Sequence, residues 1–75
     1  MEIDLGTKII TLVHKEIIER DDVHIFLPEG LVGYVCDTEY IKEGFVMVQF
    51  FEKNITENGT GVYSYKVDEI KPEDR

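Results

Sequence analysis

Short apolar runs separated by turn residues are the feature that most constrains how this chain can fold. Gly, Pro and Asn divide the 75 residues, and none of the apolar runs approaches the roughly 18 residues of a membrane span. The runs are rich in branched and aromatic residues, which favour strands. We predict strands at Lys8–His14, Leu31–Cys36, Phe45–Phe51 and Val62–Val67, a shorter extended segment at Val23–Leu27, and a tight turn at Pro28–Gly30.

The segment from Thr7 to Ile18 allows two interpretations. Its apolar residues at positions 9, 10, 13 and 17 would share one face of a helix. Its many Ile, Val and Thr residues instead favour extended structure, because branched side chains are stiff. No Glu follows Thr7 three positions later, so the helix start signal is weak. We favour a strand over Lys8–His14, with Lys15–Ile18 irregular or a short second strand.

Alternation of side chains assigns a core face to each strand. In Phe45–Phe51 the set Val46, Val48 and Phe50 contains no polar residue and is the better core face. Gly33 lies inside a strand, where glycine often marks a bulge or a sharp bend. The core predicted from the whole chain comprises Ile10, Leu12, Val32, Val35, Val46, Val48, Phe50, Val62 and Ile70.

Several segments lie between and after these strands. Glu52–Gly61 is expected to be a long polar loop, and Asp68–Ile70 a turn of 3₁₀ helix. Pro72 should stop whatever follows, and the charged end of the chain should be frayed. Because small domains must hide their sheet edges, a closed or partly closed barrel is the expected arrangement.

Three segments resemble the small SH3-like β-barrels. Residues 28–35, Pro-Glu-Gly-Leu-Val-Gly-Tyr-Val, look like the turn and strand "proline-x-glycine-x-x-glycine-x-valine" of those barrels. Residues 46–50, Val-Met-Val-Gln-Phe, resemble the following strand, and residues 67–72, Val-Asp-Glu-Ile-Lys-Pro, resemble the closing element. The resemblance covers roughly residues 5–72.

This order of segments recurs in KOW-type ribosomal and transcription modules, a photosystem peripheral subunit and the variable chain of ferredoxin–thioredoxin reductase. The chain looks most like small uncharacterised bacterial proteins of the same KOW-like topology. The resemblance implies one SH3-like, five-stranded antiparallel barrel spanning residues 1–75, with an ordered core at about 5–72. It implies no function, because such barrels are a shared scaffold.

Charge and composition limit the possible partners. Eight basic residues against sixteen acidic ones give a net charge of −8, and the chain has no Trp. RNA-binding KOW modules are basic and peptide-binding SH3 domains use a tryptophan, so neither function transfers. The acidity also argues against direct binding to nucleic acid or to an anionic membrane. A single cysteine and an acidic N-terminus without an apolar signal region favour the cytoplasm.

The residues able to carry catalysis are few. Cys36 with His14 or His24 could in principle form a nucleophile–base pair, but Cys36 lies in an apolar strand, where a buried inert thiol is usual. Each histidine is better explained as a surface or boundary residue. We therefore expect no enzyme activity, no metal site and no cofactor.

Two acidic groups and a surplus of aromatics remain to be explained. One acidic group is Glu16, Glu19, Asp21 and Asp22, and the other is Asp68, Glu69, Glu73 and Asp74; a solubilising surface or a docking face would each explain them. The aromatics outnumber what one thin core holds. Tyr63 and Tyr65 share a strand face, so both should be buried or both exposed.

These observations lead to a non-catalytic protein-interaction module with an acidic rim and an aromatic patch. The candidate partner-binding residues are Tyr40, Phe51, Tyr63, Tyr65, Asp68 and Glu69. The expected partner is a protein, which a basic surface would suit, and homo-oligomerisation stays open. The alternative is a small acidic inhibitor that mimics nucleic acid and blocks a nucleic-acid-binding protein.

Overall fold

Seven short antiparallel strands make up the fold of the protein, as a computed structural model describes it for residues 3–20, 23–56 and 61–73. The strands are β1 (Lys8–Thr11), β2 (Lys15–Arg20), β3 (Val23–Leu27), β4 (Val32–Asp37), β5 (Phe45–Gln49), β6 (Val62–Lys66) and β7 (Ile70–Pro72). Two 3₁₀ turns, Ile41–Glu43 and Val67–Glu69, and a one-turn helix α1 (Lys53–Thr56) lie in the connections.

The strands form two sheets. Five of them pair in the order β6-β5-β4-β1-β7, and β2 and β3 form a separate two-stranded hairpin. The closed barrel that we expected is not seen among the described residues, because the ladder of backbone pairing ends at β6 and at β7. The architecture is therefore all-β and antiparallel, within one small domain.

The structure shows whether the segment from Thr7 to Ile18, for which the sequence allowed a helix or strands, is helical or extended. β1 pairs with β4 and β7, and β2 pairs with β3, so this segment contains two strands and not a helix. The predicted turn at Pro28–Gly30 is confirmed, since Gly30 has a φ of +86°, a backbone conformation that glycine adopts at little cost.

One hydrophobic cluster lies between the large sheet and the hairpin. It includes the predicted Val46, Val48 and Phe50 face of β5, which is confirmed, together with Val35 and Ile70. The other predicted core positions are wrong: Leu12 and Val32 are exposed, and Ile10 and Val62 are only partly buried. Apart from two glycines, the residues buried next to those four positions are Ile9, Thr11, Leu31 and Tyr63.

At these positions the buried residues lie one residue away from where the prediction placed them along the strand, so the predicted residues face the opposite side of the sheet. In β1 the polar Thr11 points into the core, and its hydroxyl donates to the carbonyl of Pro28 at 2.9 Å and accepts from the backbone N–H of Leu31 at 2.9 Å. Because both hydrogen bonds are made, the hydroxyl can be buried at little cost. Ile10 is thereby placed on the opposite face of the sheet.

Two further predictions need correction, whereas that for Pro72 does not: β7 follows the second 3₁₀ turn and ends at Pro72, which pairs with Ile9. The predicted polar loop after β5 contains the helix α1, whose Ile55 is buried. The ladder irregularity lies between Val35 and Asp37 instead of at Gly33. The expected frayed end, residues 74–75, lies outside the described residues.

Candidate interaction surface

The side of the five-stranded sheet that faces away from the core, which we call the outer face, carries apolar side chains together with Lys8, Lys66 and Lys71. The register places Ile10 opposite Val32 and Met47 opposite Ser64 on this side. Its apolar residues are Ile10, Val32, Tyr34, Cys36, Phe45, Met47 and Val62. β5 therefore carries apolar side chains on both faces, a pattern typical of strands that are covered on both sides.

One groove on the outer face is built around two aromatic rings. Tyr34 on β4 and Phe51, just after β5, meet edge to face with ring centroids 5.8 Å apart. Both rings are exposed, Phe51 to 68% of its surface. With Val32, Glu52 and Lys53 they line a groove of about 380 Å³, which we call the Tyr34–Phe51 groove.

The connection from β4 to β5 builds the wall of a second groove. The backbone N–H of Glu43 donates to the carbonyl of Tyr40 at 3.0 Å, and that of Phe45 donates to the same oxygen at 3.2 Å. The carboxylate of Asp37 accepts from the N–H of Glu39 at 2.7 Å. These hydrogen bonds fix the loop backbone beside the sheet.

This second groove, the Tyr40–Phe45 groove, has a volume of about 340 Å³. Tyr40 and Phe45 are exposed aromatic residues, 54% and 39%, and Met47 completes the apolar lining. Two acidic residues, Asp37 and Glu43, also line it. The surface that these residues contribute to the groove is apolar, and no Lys, Arg or His is among the described residues that line it.

The six residues predicted to bind a partner do not form one site. Tyr63 and Tyr65 are 6% and 0% exposed, so the prediction that they share one environment is confirmed and the environment is the core. Tyr40 and Phe51 are exposed but line separate grooves. Asp68 is exposed and lines a third groove with Ile3, Ile41 and Val67.

Glu69 is engaged within the fold. Its Oε1 lies 2.9 Å from the ammonium of Lys15 and 2.8 Å from the backbone N–H of Lys66, which donates to it. Burial acts to raise the pKa of this carboxyl, but the two hydrogen bonds and the charges of Lys15 and Lys66 outweigh it, so its pKa lies below the ordinary value.

The exposed aromatics of the outer face that the sequence prediction missed are Tyr34 and Phe45. A signal for them was present, because a core face made of Val46, Val48 and Phe50 must direct Phe45 and Met47 outward. Tyr34 alternates with the buried Val35 in the same way. Because buried and exposed positions alternate along each strand, both aromatics lie on the outer face.

The residues considered for catalysis are all at the surface. Cys36 is exposed, which corrects the expectation of a buried thiol; its Sγ donates to the carbonyl of Met47 at 3.6 Å. Desolvation and the neighbouring Asp37 raise the pKa of this thiol, which disfavours the nucleophilic thiolate. His14 and His24 are exposed, as predicted.

The outward side of the β2–β3 hairpin is a second exposed region. His24 lies 3.0 Å from the carboxylate of Glu16, and the rings of His14 and Phe26 have centroids 5.5 Å apart. Ile18 is exposed here as strongly as Phe51 is on the outer face, and Phe26 is exposed somewhat less. Of the first acidic group, Asp21 and Asp22 lie outside the described residues, as Asp74 does in the second.

Within residues 3–20, 23–56 and 61–73, no group of three or more His, Cys, Asp and Glu residues is arranged to hold a metal ion. None of the helices in this part of the chain has the length and apolar character needed to cross a bilayer. No protein-family model matches the chain, and neither a curated protein nor a solved structure matches it significantly.

Proposed function

We propose that the protein is a non-catalytic interaction module on an SH3-like scaffold, and that it binds a partner protein through its outer face. The scaffold assignment is supported by where the three resembling segments fall. Residues 28–35 form the turn and most of β4, residues 46–50 lie in and just after β5, and residues 67–72 are the second 3₁₀ turn and β7. This is the order expected of such barrels.

One observation supports the function most strongly. β4 and β5 present the exposed apolar side chains of Val32, Tyr34 and Phe45 away from the core, and the exposed rings of Tyr40 and Phe51 lie in the segments that follow these two strands. Leaving such a surface in water is unfavourable, whereas covering it with a partner removes apolar area from water. Aromatic residues, with large area and few rotatable bonds, are favoured at protein interfaces.

The net charge of the chain supports a protein partner with basic groups. Asp37 and Glu43 are among the residues that line the Tyr40–Phe45 groove, whereas both Glu52 and Lys53 line the Tyr34–Phe51 groove. The net charge of −8 would attract a partner of opposite sign and orient it during approach. The same net charge opposes association of two copies of this chain.

The experiment compares two double variants of the full chain. Tyr34→Ser with Phe51→Ser removes aromatic surface from the outer face, and Ile18→Ser with Phe26→Ser removes similar exposed surface from the hairpin. Immobilised wild-type protein and both variants are used to capture proteins at low salt, and the captured proteins are quantified by mass spectrometry. We expect capture to fall at least about tenfold for the outer-face variant only.

Three results would overturn the proposal: equal loss with both variants, loss with the hairpin variant alone, or no specific capture. The nucleic-acid-mimic alternative predicts a different pattern. Its target would be a nucleic-acid-binding protein released steeply between about 50 and 200 mM salt, with little dependence on Tyr34 and Phe51. Apolar docking depends much less on salt.

A further inference from the structure

Ile55 is buried in the core, yet it belongs to the helix α1, whose first residue, Lys53, lines the Tyr34–Phe51 groove. We infer that Ile55 is a positioning residue for this groove. Its burial anchors α1, and α1 holds the exposed ring of Phe51 against Tyr34 in the geometry that the partner contacts. This inference rests on the proposed function and adds to it a residue that lies behind the contact surface.

The ring of Phe51 is held mainly through its backbone. The side chain is 68% exposed, and the ring contact that it makes joins it to another exposed ring, that of Tyr34. Such a contact between exposed rings contributes only modestly. The direction in which the side chain leaves the backbone is set by residues 50 and 52, so whatever fixes these two residues fixes the groove.

The residue before Phe51 is fixed by the core and the sheet. The ring of Phe50 is fully buried and meets the ring of Tyr65 edge to face, with centroids 5.9 Å apart. The backbone N–H of Phe50 donates to the carbonyl of Gly61 at 2.8 Å. This hydrogen bond joins the end of β5 to the residue that precedes β6.

The residue after Phe51 is fixed by α1. The carbonyl of Glu52 accepts the backbone N–H of Ile55 and that of Thr56, both at 3.0 Å. A single helical turn is not stable by itself in water, so these hydrogen bonds depend on an anchor. Ile55 is 2% exposed, belongs to the same hydrophobic cluster as Phe50, and lies on a helix that packs against β3. Its burial supplies the anchor.

The backbone at Gly61 supports α1 from a second side. A Cβ at Gly61 would lie 3.2 Å from Cγ2 of Thr56 and 3.2 Å from the carbonyl oxygen of Phe50, so the backbone passes close to both. Gly61 has a φ of +80°, which glycine adopts at little cost. The helical turn is thus held by the core through Ile55 and by the Gly61 backbone through Thr56.

The groove is therefore preorganised by a residue that a partner does not reach. Phe51, Glu52 and Lys53, which lie in or directly before α1, are three of the residues that line it. A ring that is already oriented in the free protein spares a partner the cost of ordering it. Removing the anchor should weaken binding although no atom of the contact surface is changed.

Two matched variants of the full chain, Ile55→Ala and Ile70→Ala, test the inference. Each removes the same atoms from an isoleucine that is at most 2% exposed, but Ile70 lies on β7, three strands away from β5. NMR cross peaks between the ring protons of Tyr34 and Phe51 report the groove geometry without any partner. We expect Ile55→Ala to lose these cross peaks and Ile70→Ala to keep them. Cross peaks kept in Ile55→Ala, or lost in both variants, would overturn the inference.

A milder pair decides the question if Ile55→Ala does not fold. Ile55→Val removes one methyl group and should keep the cross peaks between Tyr34 and Phe51. Ile55→Thr has the shape of the valine variant, but its hydroxyl disfavours burial, so the anchor is weakened and the cross peaks should fade. Equal cross peaks in the two variants, or stronger ones with threonine, would overturn the inference.

Partner capture separates failure of this inference from failure of the proposed function. Ile55→Ala should capture roughly threefold to tenfold less partner than wild type, and Ile70→Ala about as much as wild type. Unchanged capture with Ile55→Ala, where Tyr34→Ser with Phe51→Ser abolishes it, would overturn the inference and leave the proposed function. If no partner is captured at all, the proposed function fails, and the ring cross peaks still decide whether Ile55 positions Phe51.

Discussion

The ammonium group of Lys15 lies 2.9 Å from Oε1 of Glu69 and so joins the β2–β3 hairpin to the large sheet. The same ammonium is 3.3 Å from the carbonyl oxygen of Ser64, to which it donates, and 4.4 Å from the ring centroid of Tyr65. Oε1 of Glu69 also accepts the backbone N–H of Lys66 at the start of the second 3₁₀ turn. The Glu69 carboxylate thus connects the second 3₁₀ turn with the β2–β3 hairpin and with the end of β6.

Glu69→Gln should lower the free energy of unfolding by about 1 kcal/mol near neutral pH, because the ion pair is lost while an amide oxygen can still accept a hydrogen bond. The loss should be pH-dependent. The pKa of Glu69 is lower in the folded protein than its ordinary value of 4.5, so the carboxylate stabilises the fold above that value. This stabilisation is lost as the pH falls through the folded pKa.

Urea unfolding from about pH 6 to about pH 3 measures this effect. The difference between wild type and Glu69→Gln should shrink steadily over that range, while other carboxyls contribute equally to both proteins. Asp68→Asn is the matched control, since Asp68 is the exposed neighbour on the same turn. A constant difference at all pH values would contradict the role assigned to the charge of Glu69.

Thr11→Val should cost about 2–3 kcal/mol of folding stability. The substitution keeps the shape of the buried side chain but removes the hydroxyl, which leaves the N–H of Leu31 and the carbonyl of Pro28 without their side-chain partner. Thr11→Ser, which keeps the hydroxyl and removes one methyl group, should cost about 1 kcal/mol. Chemical denaturation of wild type, Thr11→Ser and Thr11→Val tests this order of stability. A Thr11→Val protein as stable as Thr11→Ser, or more stable, would contradict the prediction.

The positions of β1, β3, β4, β5 and β6 were predictable from the sequence because branched runs and turn residues define them locally, whereas the short strand β7 was not predicted. The inner face of β5 was predictable for the same reason, since Val46, Val48 and Phe50 contain no competing polar group. Which residues of β1 face the core was not predictable. A threonine is placed outside by its polarity, and only its two partners, Pro28 and Leu31, 17 and 20 residues away, make its burial acceptable.

The candidate surface was predictable only in part, for a related reason. Surplus aromatics indicated that some would be exposed, but which ones depended on the phase of each strand. Tyr63 and Tyr65 carry hydroxyl groups that favour the surface, yet their strand directs both rings inward. The Tyr40–Phe45 groove depends on the loop hydrogen bonds between β4 and β5, and composition does not determine those.

Gly33→Ala should destabilise the protein by about 1–3 kcal/mol. A Cβ at Gly33 would lie 2.7 Å from Cε1 of Phe50 and 2.7 Å from Cγ1 of Val48, both in the buried core. Gly30→Ala serves as the comparison, because its φ of +86° is strained for alanine but no atom lies within 4 Å of the added Cβ. That strain should cost about 1 kcal/mol.

Urea midpoints of the two alanine variants separate packing from backbone strain. The Gly33 variant should also shift the side-chain NMR signals of Phe50 and Val48, and the Gly30 variant should not. An alanine at position 33 that leaves stability and these signals unchanged would contradict the close approach of Phe50 to the β4 backbone.

Tyr65→Phe should leave stability near neutral pH unchanged or slightly higher, because the hydroxyl of Tyr65 is buried and has no hydrogen-bond partner among residues 3–20, 23–56 and 61–73. The variant should differ from wild type in alkali. Burial, and next the charge of Glu69, raise the pKa of Tyr65 from 10.0 to about 12. The unfolded chain therefore ionises at lower pH than the folded one, and this tyrosine contributes stability that is complete below pH 10 and is lost as the pH rises towards 12.

Unfolding measured between about pH 8 and pH 12 tests the prediction, with Tyr40→Phe as the control at an exposed tyrosine. Wild type and Tyr40→Phe should lose stability more steeply than Tyr65→Phe above about pH 10, by on the order of 2 kcal/mol at the alkaline end. The absorbance of ionised tyrosine provides a second readout, since Tyr65 of the wild type should ionise only as the protein unfolds, and this contribution is absent from Tyr65→Phe. Identical alkaline slopes for all three proteins would contradict the buried, unionised state of Tyr65.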